Sequence, residues 1–182
     1  MLWNRLAVVT ALALGTFASP VLAETLMLVA DESKIEFIGR KPDGKHEGGF
    51  KKFAAKADGN FDEPAESKLV MEIDARSLWS DNSKLTNHLK NPDFFDVRKH
   101  PAIRFESTEV IPGEDGRAVL VGQMKMLGKT AEVRIPVKAK VSDAQVVLDA
   151  EFAIDRTRWG MDYGAGKIDD KVSVTAHLVF AR

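Results

Sequence analysis

The chain has 182 residues, a formal net charge of −1 and no cysteine. The lack of cysteine excludes disulfides, thiolate metal sites and lipid attachment through a cysteine. Acidic and basic residues are interspersed, which gives no reason to expect a nucleic acid or an anionic membrane as a partner.

Residues 1–23 have the pattern of a secretory signal peptide. Arg5 gives a positive start, a short apolar run follows, and a small-residue cleavage site ends at Ala23. A membrane anchor is the alternative, but the apolar run is shorter than the ~20 residues that span a bilayer. We therefore expect a single mature domain over residues 24–182, located in the periplasm, with no membrane span after cleavage.

Alternation of apolar and polar residues dominates the mature chain and indicates β-strands. Its clearest instance is Val133, Ile135 and Val137, which alternate with charged residues and a proline. Turn residues separate most of the alternating segments. The pattern predicts about eight or nine strands, within 26–30, 34–40, 50–61, 69–73, 103–105, 118–126, 133–141, 148–154 and 172–180.

Residues 81–90 are the one segment that reads clearly as a helix. Asp81 or Asn82 can cap it, and Pro92 bars its continuation. The adjacent aromatic residues Phe94 and Phe95 need a pocket, so this corner is expected to fold over the end of a hydrophobic interior. The pattern predicts an all-β fold with one short helix and favours a sandwich and a closed antiparallel barrel about equally.

Three motifs point to a known family. They are His88-Leu89 followed by Phe94-Phe95-Asp96 and Pro101, the turn Leu127-Gly128-Lys129-Thr130 ahead of the 133–137 strand, and the Trp159-Gly160 loop leading to Asp170-Lys171-Val172. In these motifs the chain resembles the YceI family, bacterial secreted proteins with a lipocalin-like antiparallel barrel that holds a polyisoprenoid or similar lipid. In many members an Arg-Asp pair stands just before the His-Leu, where this chain has Leu85 and Thr86. The resemblance implies an eight-stranded barrel, an isoprenoid or other long-chain lipid as ligand, and no cofactor.

Small residues interrupt the inward faces of the predicted strands. They are Gly39, Ala55, Ala57, Gly59, Gly122, Ala139, Ala150 and Ala176. They either leave room for an elongated cavity or mark bends and face bulky partners. With the resemblance we expect a cavity, lined by Phe37, Met71, Phe105, Met124, Phe152 and Leu178, and we expect Phe105, Phe152 and Leu178 to point into the barrel.

Further candidates for ligand contacts come from the corner and from the loop after residue 155. Phe94 and His88 belong to the first, Arg158 and Trp159 to the second. An arginine can hold a phosphate or carboxylate head group, and Trp159 can cover an apolar tail. The alternative for this loop is an internal Arg-Asp network, with Trp159 closing one end of the barrel.

Two other functions compete with lipid binding. His88 could act with Asp93 or Asp96 in a small hydrolase, but the sequence has no nucleophile elbow, no cysteine and no metal-ligand spacing. The second is a ligand-free barrel that acts through its surface in stress or protein interaction. We expect a binding protein, not an enzyme, with no metal; the sequence favours neither a monomer nor a homodimer.

Overall fold

The computed structural model describes residues 23–182. The predicted signal peptide, apart from its last residue, lies outside the described residues and stays a prediction. Within the described part of the chain, no helix has both the length and the apolar character needed to cross a membrane.

Eleven β-strand segments and one α-helix make up the domain. The strands are β1 (Glu24–Leu28), β2 (Lys34–Lys41), β3 (Gly44–Phe50), β4 (Phe53–Gly59), β5 (Lys68–Asp74), β6 (Leu78–Ser80), β7 (Ala102–Pro112), β8 (Arg117–Met126), β9 (Lys129–Val141), β10 (Gln145–Asp155) and β11 (Lys171–Ala181). The helix, α1 (Ser83–Leu89), lies between β6 and β7. Short 3-10 turns occupy several of the connections.

The strands form one antiparallel sheet that closes into a barrel. The order β1-β4-β5-β7-β8-β9-β10-β11 returns to its start because β1 pairs with β11. The segments β2, β3 and β6 continue β1, β4 and β5 in the same order around the barrel, since β11 pairs with β2, β2 with β3, and β3 with β6. The barrel therefore has eight strands, three of them interrupted. The predicted closed barrel with one helix is confirmed.

Serine hydroxyls bridge the interruptions in the strands. Ser77 Oγ accepts the backbone N–H groups of Lys51 at 3.1 Å and Lys52 at 3.0 Å, and it donates to the carbonyl of Asp74 at 2.6 Å. Ser33 acts in the same way between β1 and β2. These bonds give partners to backbone groups that the ladder leaves unpaired, so the sheet can bend there. The segment 50–61, predicted as one strand, is divided at this bend.

The predicted helix forms, slightly shorter than expected. Asn82 is its N-cap, with the side-chain oxygen accepting the N–H of Leu85 at 3.1 Å. It ends at Leu89, before Pro92, as the sequence indicates. The chain then turns back, and the N–H of Phe95 donates to the carbonyl of Leu89 at 3.0 Å. This turn aims the aromatic corner at the interior.

The end of the barrel near Glu24 and Arg182 is closed by packed apolar side chains. Phe180 is 0% exposed, and Leu26 on the neighbouring strand is 2% exposed. Val110 and Val146 are buried in the same hydrophobic core. Because this end is filled, any internal space must lie toward the opposite end, beneath α1.

Replacing Phe180 with Ala should lower the free energy of unfolding by about 3–5 kcal/mol, because a fully packed aromatic ring is removed. Urea unfolding at equilibrium measures the change. Val141→Ala is the control: Val141 is 53% exposed, so its loss should stay within about 0.5 kcal/mol. Equal effects of the two substitutions would show that this end is not packed core.

Candidate functional site

Two apolar cavities lie end to end inside the barrel. The upper chamber, beneath α1, has a volume of about 180 Å³. The lower chamber, deeper in the barrel, has a volume of about 80 Å³. Six side chains line both and form what we call the waist: Ile35, Ile73, Ile103, Met124, Phe152 and Val174. The two chambers together are an elongated, almost wholly hydrophobic interior.

The free space lies against one side of the barrel. Inward residues on β5 and β7, such as Met71 and Phe105, are buried. Their counterparts on β10 and β11, such as Phe152 and Val174, are only half-buried although they face the interior. These side chains are accessible from inside the barrel, so the wall of β10 and β11 is the unfilled one.

Small inward residues have different effects at different positions. Ala150 and Ala176 face each other across β10 and β11 and line the lower chamber. Gly39 lines the upper chamber, and a Cβ built on it would meet no atom within 4 Å. At Gly122, by contrast, the ring of Phe105 lies 2.6 Å from where a Cβ would stand. The small residues therefore leave open space at Gly39, Ala150 and Ala176, and make room for a bulky neighbour at Gly122.

The helix and the corner form a roof over the upper chamber. Leu85 and Leu89 of α1 and Phe94 and Phe95 of the corner line it. The ring of Phe95 packs on two rings of the barrel wall, with centroids 6.5 Å from Phe37 and 5.8 Å from Phe50. The corner therefore covers the end of the interior, as the paired aromatics predicted.

The polar part of the lining marks an opening on one side. It consists of Glu36, Arg40 and Lys41 on β2, His46 on β3, Ser80 on β6, and Arg156. The side chains of Lys41 and His46 are 42% and 41% exposed, yet they also line the upper chamber. The chamber thus reaches solvent here. We call Gly39, Lys41 and His46 the mouth.

Hydrogen bonds and ion pairs order the polar groups around the mouth. His46 Nδ1 lies 3.0 Å from Asp81 Oδ1, and the N–H of Glu47 donates to Asp81 Oδ2 at 3.1 Å. The Glu47 bond, followed by that of His46, holds the pKa of Asp81 below its ordinary value. This carboxylate therefore stays charged in mildly acidic solution and ties the start of α1 to β3.

The two cations beside the mouth lie on different faces of β2. Lys41 lines the chamber, and its Nζ lies 3.3 Å from a carboxylate oxygen of Asp43. Arg40 donates through Nη1 to Ser173 Oγ at 2.8 Å, and Ser173 alternates on β11 with Val172 and Val174, which line the chamber. The guanidinium of Arg40 therefore lies on the outer face of the sheet, and Lys41 is the cation at the mouth.

Arg156 lines the upper chamber but has no N–H group left for a ligand. It is 2% exposed. Its five N–H groups make bonds of 2.6 to 3.3 Å with the carbonyls of Met161, Tyr163, Ile168 and Asp169 and with Asp170 Oδ1. Arg156 thus fixes the loop 156–170, which contributes Met161 and Ile168 to the chamber lining.

The structure brings seven of the ten predicted ligand residues into the chambers. Phe37 and Phe94 line the upper chamber, Met71, Phe105 and Leu178 the lower one, and Met124 and Phe152 both. The predicted inward direction of Phe105, Phe152 and Leu178 matches these positions.

The other three, His88, Arg158 and Trp159, lie outside the chamber lining. Trp159 is 1% exposed and donates through Nε1 to the carbonyl of Met124 at 2.9 Å. Arg158 is exposed, with its guanidinium carbon 5.7 Å from the centre of the Trp159 ring. Trp159 therefore packs into the core, as in the alternative interpretation of this loop, and leaves no face toward the chambers.

His88 is held by the corner. Its Nε2 lies 3.0 Å from Asp93 Oδ2, and its ring meets those of Phe94 and Tyr163 edge-on at 5.1 and 5.0 Å. Asp96 is not brought to it; this residue has a φ of 39° and sits in the turn that follows. Among residues 23–182 no hydroxyl group is hydrogen-bonded to His88. The arrangement orients the corner and contains no activated nucleophile.

Sequence reasoning missed the polar residues of the mouth and the role of Arg156. His46 faces Gly39 across the β2–β3 hairpin, and the Pro-Asp-Gly turn at residues 42–44 was a signal that could have fixed this pairing. Nothing local distinguishes Arg156 from Arg158, because the partners of Arg156 are backbone carbonyls made available only by the folded loop.

The sequence matches the YceI-like domain over residues 27–180. The chain belongs to the YceI family. It is 37% identical over 90 residues to a UPF0312 protein of Pseudomonas putida, a match that covers 47% of this chain and 45% of that relative. The match thus spans slightly less than half of the length of that relative. A UPF0312 protein of Vibrio parahaemolyticus is 29% identical over 133 residues, which is 71% of this chain and 68% of the other.

Solved structures of YceI-like proteins share the fold. BcnA of Burkholderia cenocepacia superposes with a TM-score of 0.78 at 24% identity, over 84% of this chain and 98% of BcnA. A polyisoprenoid binding domain from Saccharophagus degradans gives 0.67 at 14% identity, over 88% and 98%. At these sequence identities the similarity shows a shared fold and nothing further.

Replacing Arg156 with Met in this YceI-family barrel should lower the free energy of unfolding by about 3–5 kcal/mol, because buried carbonyls lose their charged donor. Arg158→Met makes the same chemical change at an exposed site and should cost less than about 1 kcal/mol. Urea unfolding compares the two. Equal losses would contradict the assignment of Arg156 as the residue that holds the loop.

Proposed function

We propose that this protein is exported to the periplasm, where its barrel binds and carries an elongated amphiphilic lipid of the polyisoprenoid or isoprenoid quinone class. The lipid's apolar chain enters the upper chamber, its head group stays at the mouth, and the protein does no chemistry on it. The observation that carries this proposal is the unfilled apolar interior that opens to solvent at one polar edge. The polyisoprenoid-binding domain of similar fold supports the ligand class.

The apolar chain supplies the binding energy. Each CH₂ group removed from water contributes about 0.8 kcal/mol before the costs of association are subtracted. Since about 1.4 kcal/mol is a tenfold change in affinity, every two further carbons that are buried strengthen binding by about tenfold. The walls need only be hydrophobic, and almost all of the chamber lining is.

The mouth suits a polar head group. Lys41 and His46 place a cation and an imidazole where the chamber meets solvent. A head group at this point keeps its contact with water, so its burial costs little. Lys41, whose side chain is 42% exposed, gives an anionic head group a charged partner.

The interior also argues against a barrel that acts only through its surface. The upper chamber of about 180 Å³ leaves its apolar lining without the contacts that a packed core provides. A ligand that fills the space supplies these contacts.

The hydrolase alternative has less support. His88 and Asp93 form their pair outside both chambers, against Phe94 and Tyr163. A lipid seated in the barrel does not reach this pair. We therefore assign His88 to the packing of the corner.

Blocking the mouth tests the proposal. A Phe at position 39 has room to form, because nothing lies within 4 Å of the new Cβ, and its ring would fill the opening. Gly39→Phe should weaken binding of farnesol at least tenfold, or about 1.4 kcal/mol, because the isoprenoid chain loses its way into the chamber. Displacement of the fluorescent probe N-phenylnaphthylamine by farnesol measures this.

Gly44→Phe is the matched control. Gly44 belongs to the same hairpin, has no atom within 4 Å of its Cβ position and does not line the chamber. This variant should bind farnesol as the unmodified protein does. Normal binding by Gly39→Phe, or an equal loss in both variants, would contradict entry through the mouth.

A further inference from the structure

The waist divides the interior at the level of six side chains, one from each of β2, β5, β7, β8, β10 and β11. Four of the six are Ile or Val, whose branched Cβ restricts rotation about χ1. The remaining two are Met124 and Phe152. Met124 has three rotatable bonds and adapts easily to a ligand. Phe152 has the largest side chain of the waist. The aperture between the chambers therefore depends on these two residues.

Met124 and Phe152 are each fixed at the backbone and have free space beside the side chain. The carbonyl of Met124 accepts the indole N–H of Trp159 at 2.9 Å, which holds the strand in place. Phe152 is paired with Val174 on β11. Both side chains are only half-buried although they point into the barrel, so each has free volume into which it can turn.

The volumes limit what fits above the waist. An engineered apolar cavity of about 150 Å³ takes up one benzene molecule. By the same proportion, the upper chamber of about 180 Å³ holds an apolar end on the order of one or two isoprene units. A longer chain must either protrude from the mouth or pass the waist into the lower chamber.

We propose that Phe152 and Met124 set the length of chain that the barrel accepts. The apolar end of the ligand stops at the waist, and the lower chamber is entered only when these two side chains turn aside. This inference rests on the proposed lipid-binding function and adds to it a selection by chain length.

A series of isoprenoid alcohols tests the inference. The assay measures displacement of N-phenylnaphthylamine from the full mature protein by geraniol, farnesol, geranylgeraniol and a long-chain polyprenol. For the unmodified protein, the gain in affinity with each added isoprene unit should level off within the series. In Phe152→Ala the affinity should level off at a longer alcohol. Relative to geraniol, that alcohol should bind the variant roughly tenfold more tightly than it binds the unmodified protein.

Phe180→Ala is the matched control, because it removes the same ring from the packed end of the barrel, outside both chambers. It leaves the waist as it is and should leave the length preference unchanged. Met124→Ala provides a second opening of the waist in case Phe152→Ala does not fold, which thermal unfolding reveals; it should shift the preference in the same direction.

The outcomes separate this inference from the function on which it rests. An unchanged length preference in every folded waist variant would overturn the inference, and so would an equal shift in Phe180→Ala. If the unmodified protein displaced no probe with any of the alcohols, the proposed function itself would fail.

Discussion

The rest of this structure depends on apolar space that the barrel leaves unfilled along the inner wall of β10 and β11. On the opposite wall, residues such as Met71 and Phe105 are buried as in an ordinary core. The end near Glu24 and Arg182 is closed around Phe180. These packed parts carry the stability of the fold, and the space between them and the roof is left for a ligand. A solid interior would be more stable and would bind nothing.

Polar interactions help to keep the roof and the loop 156–170 in place around this space. Arg156 holds the loop 156–170 through carbonyl oxygens, and Asp81 ties α1 to β3 through the N–H of Glu47. Such bonds are directional, so they hold the roof without filling the volume beneath it. A roof held only by hydrophobic packing would tend to collapse into the chamber.

The sequence predicted the elements whose signals are local. The alternation around Ile135 predicts a strand with one buried face, and the buried Val133, Ile135 and Val137 confirm it. The division between β3 and β4 was missed because its cause, Ser77, lies about 25 residues away. The sequence pattern predicts Trp159 as a ligand residue, yet its indole N–H donates to the carbonyl of Met124, 35 residues earlier. Local patterns do not contain such distant contacts.

The most direct measurement of the central claim is the identification of what the barrel contains. The full chain, with residues 1–23 in place, would be expressed in a bacterial host, purified from the periplasmic fraction, extracted with organic solvent and analysed by mass spectrometry. The account predicts a long-chain isoprenoid lipid in stoichiometric amount from the unmodified protein, and much less from the variant whose mouth is blocked. Protein that reaches the periplasm folded and free of any lipid would contradict it.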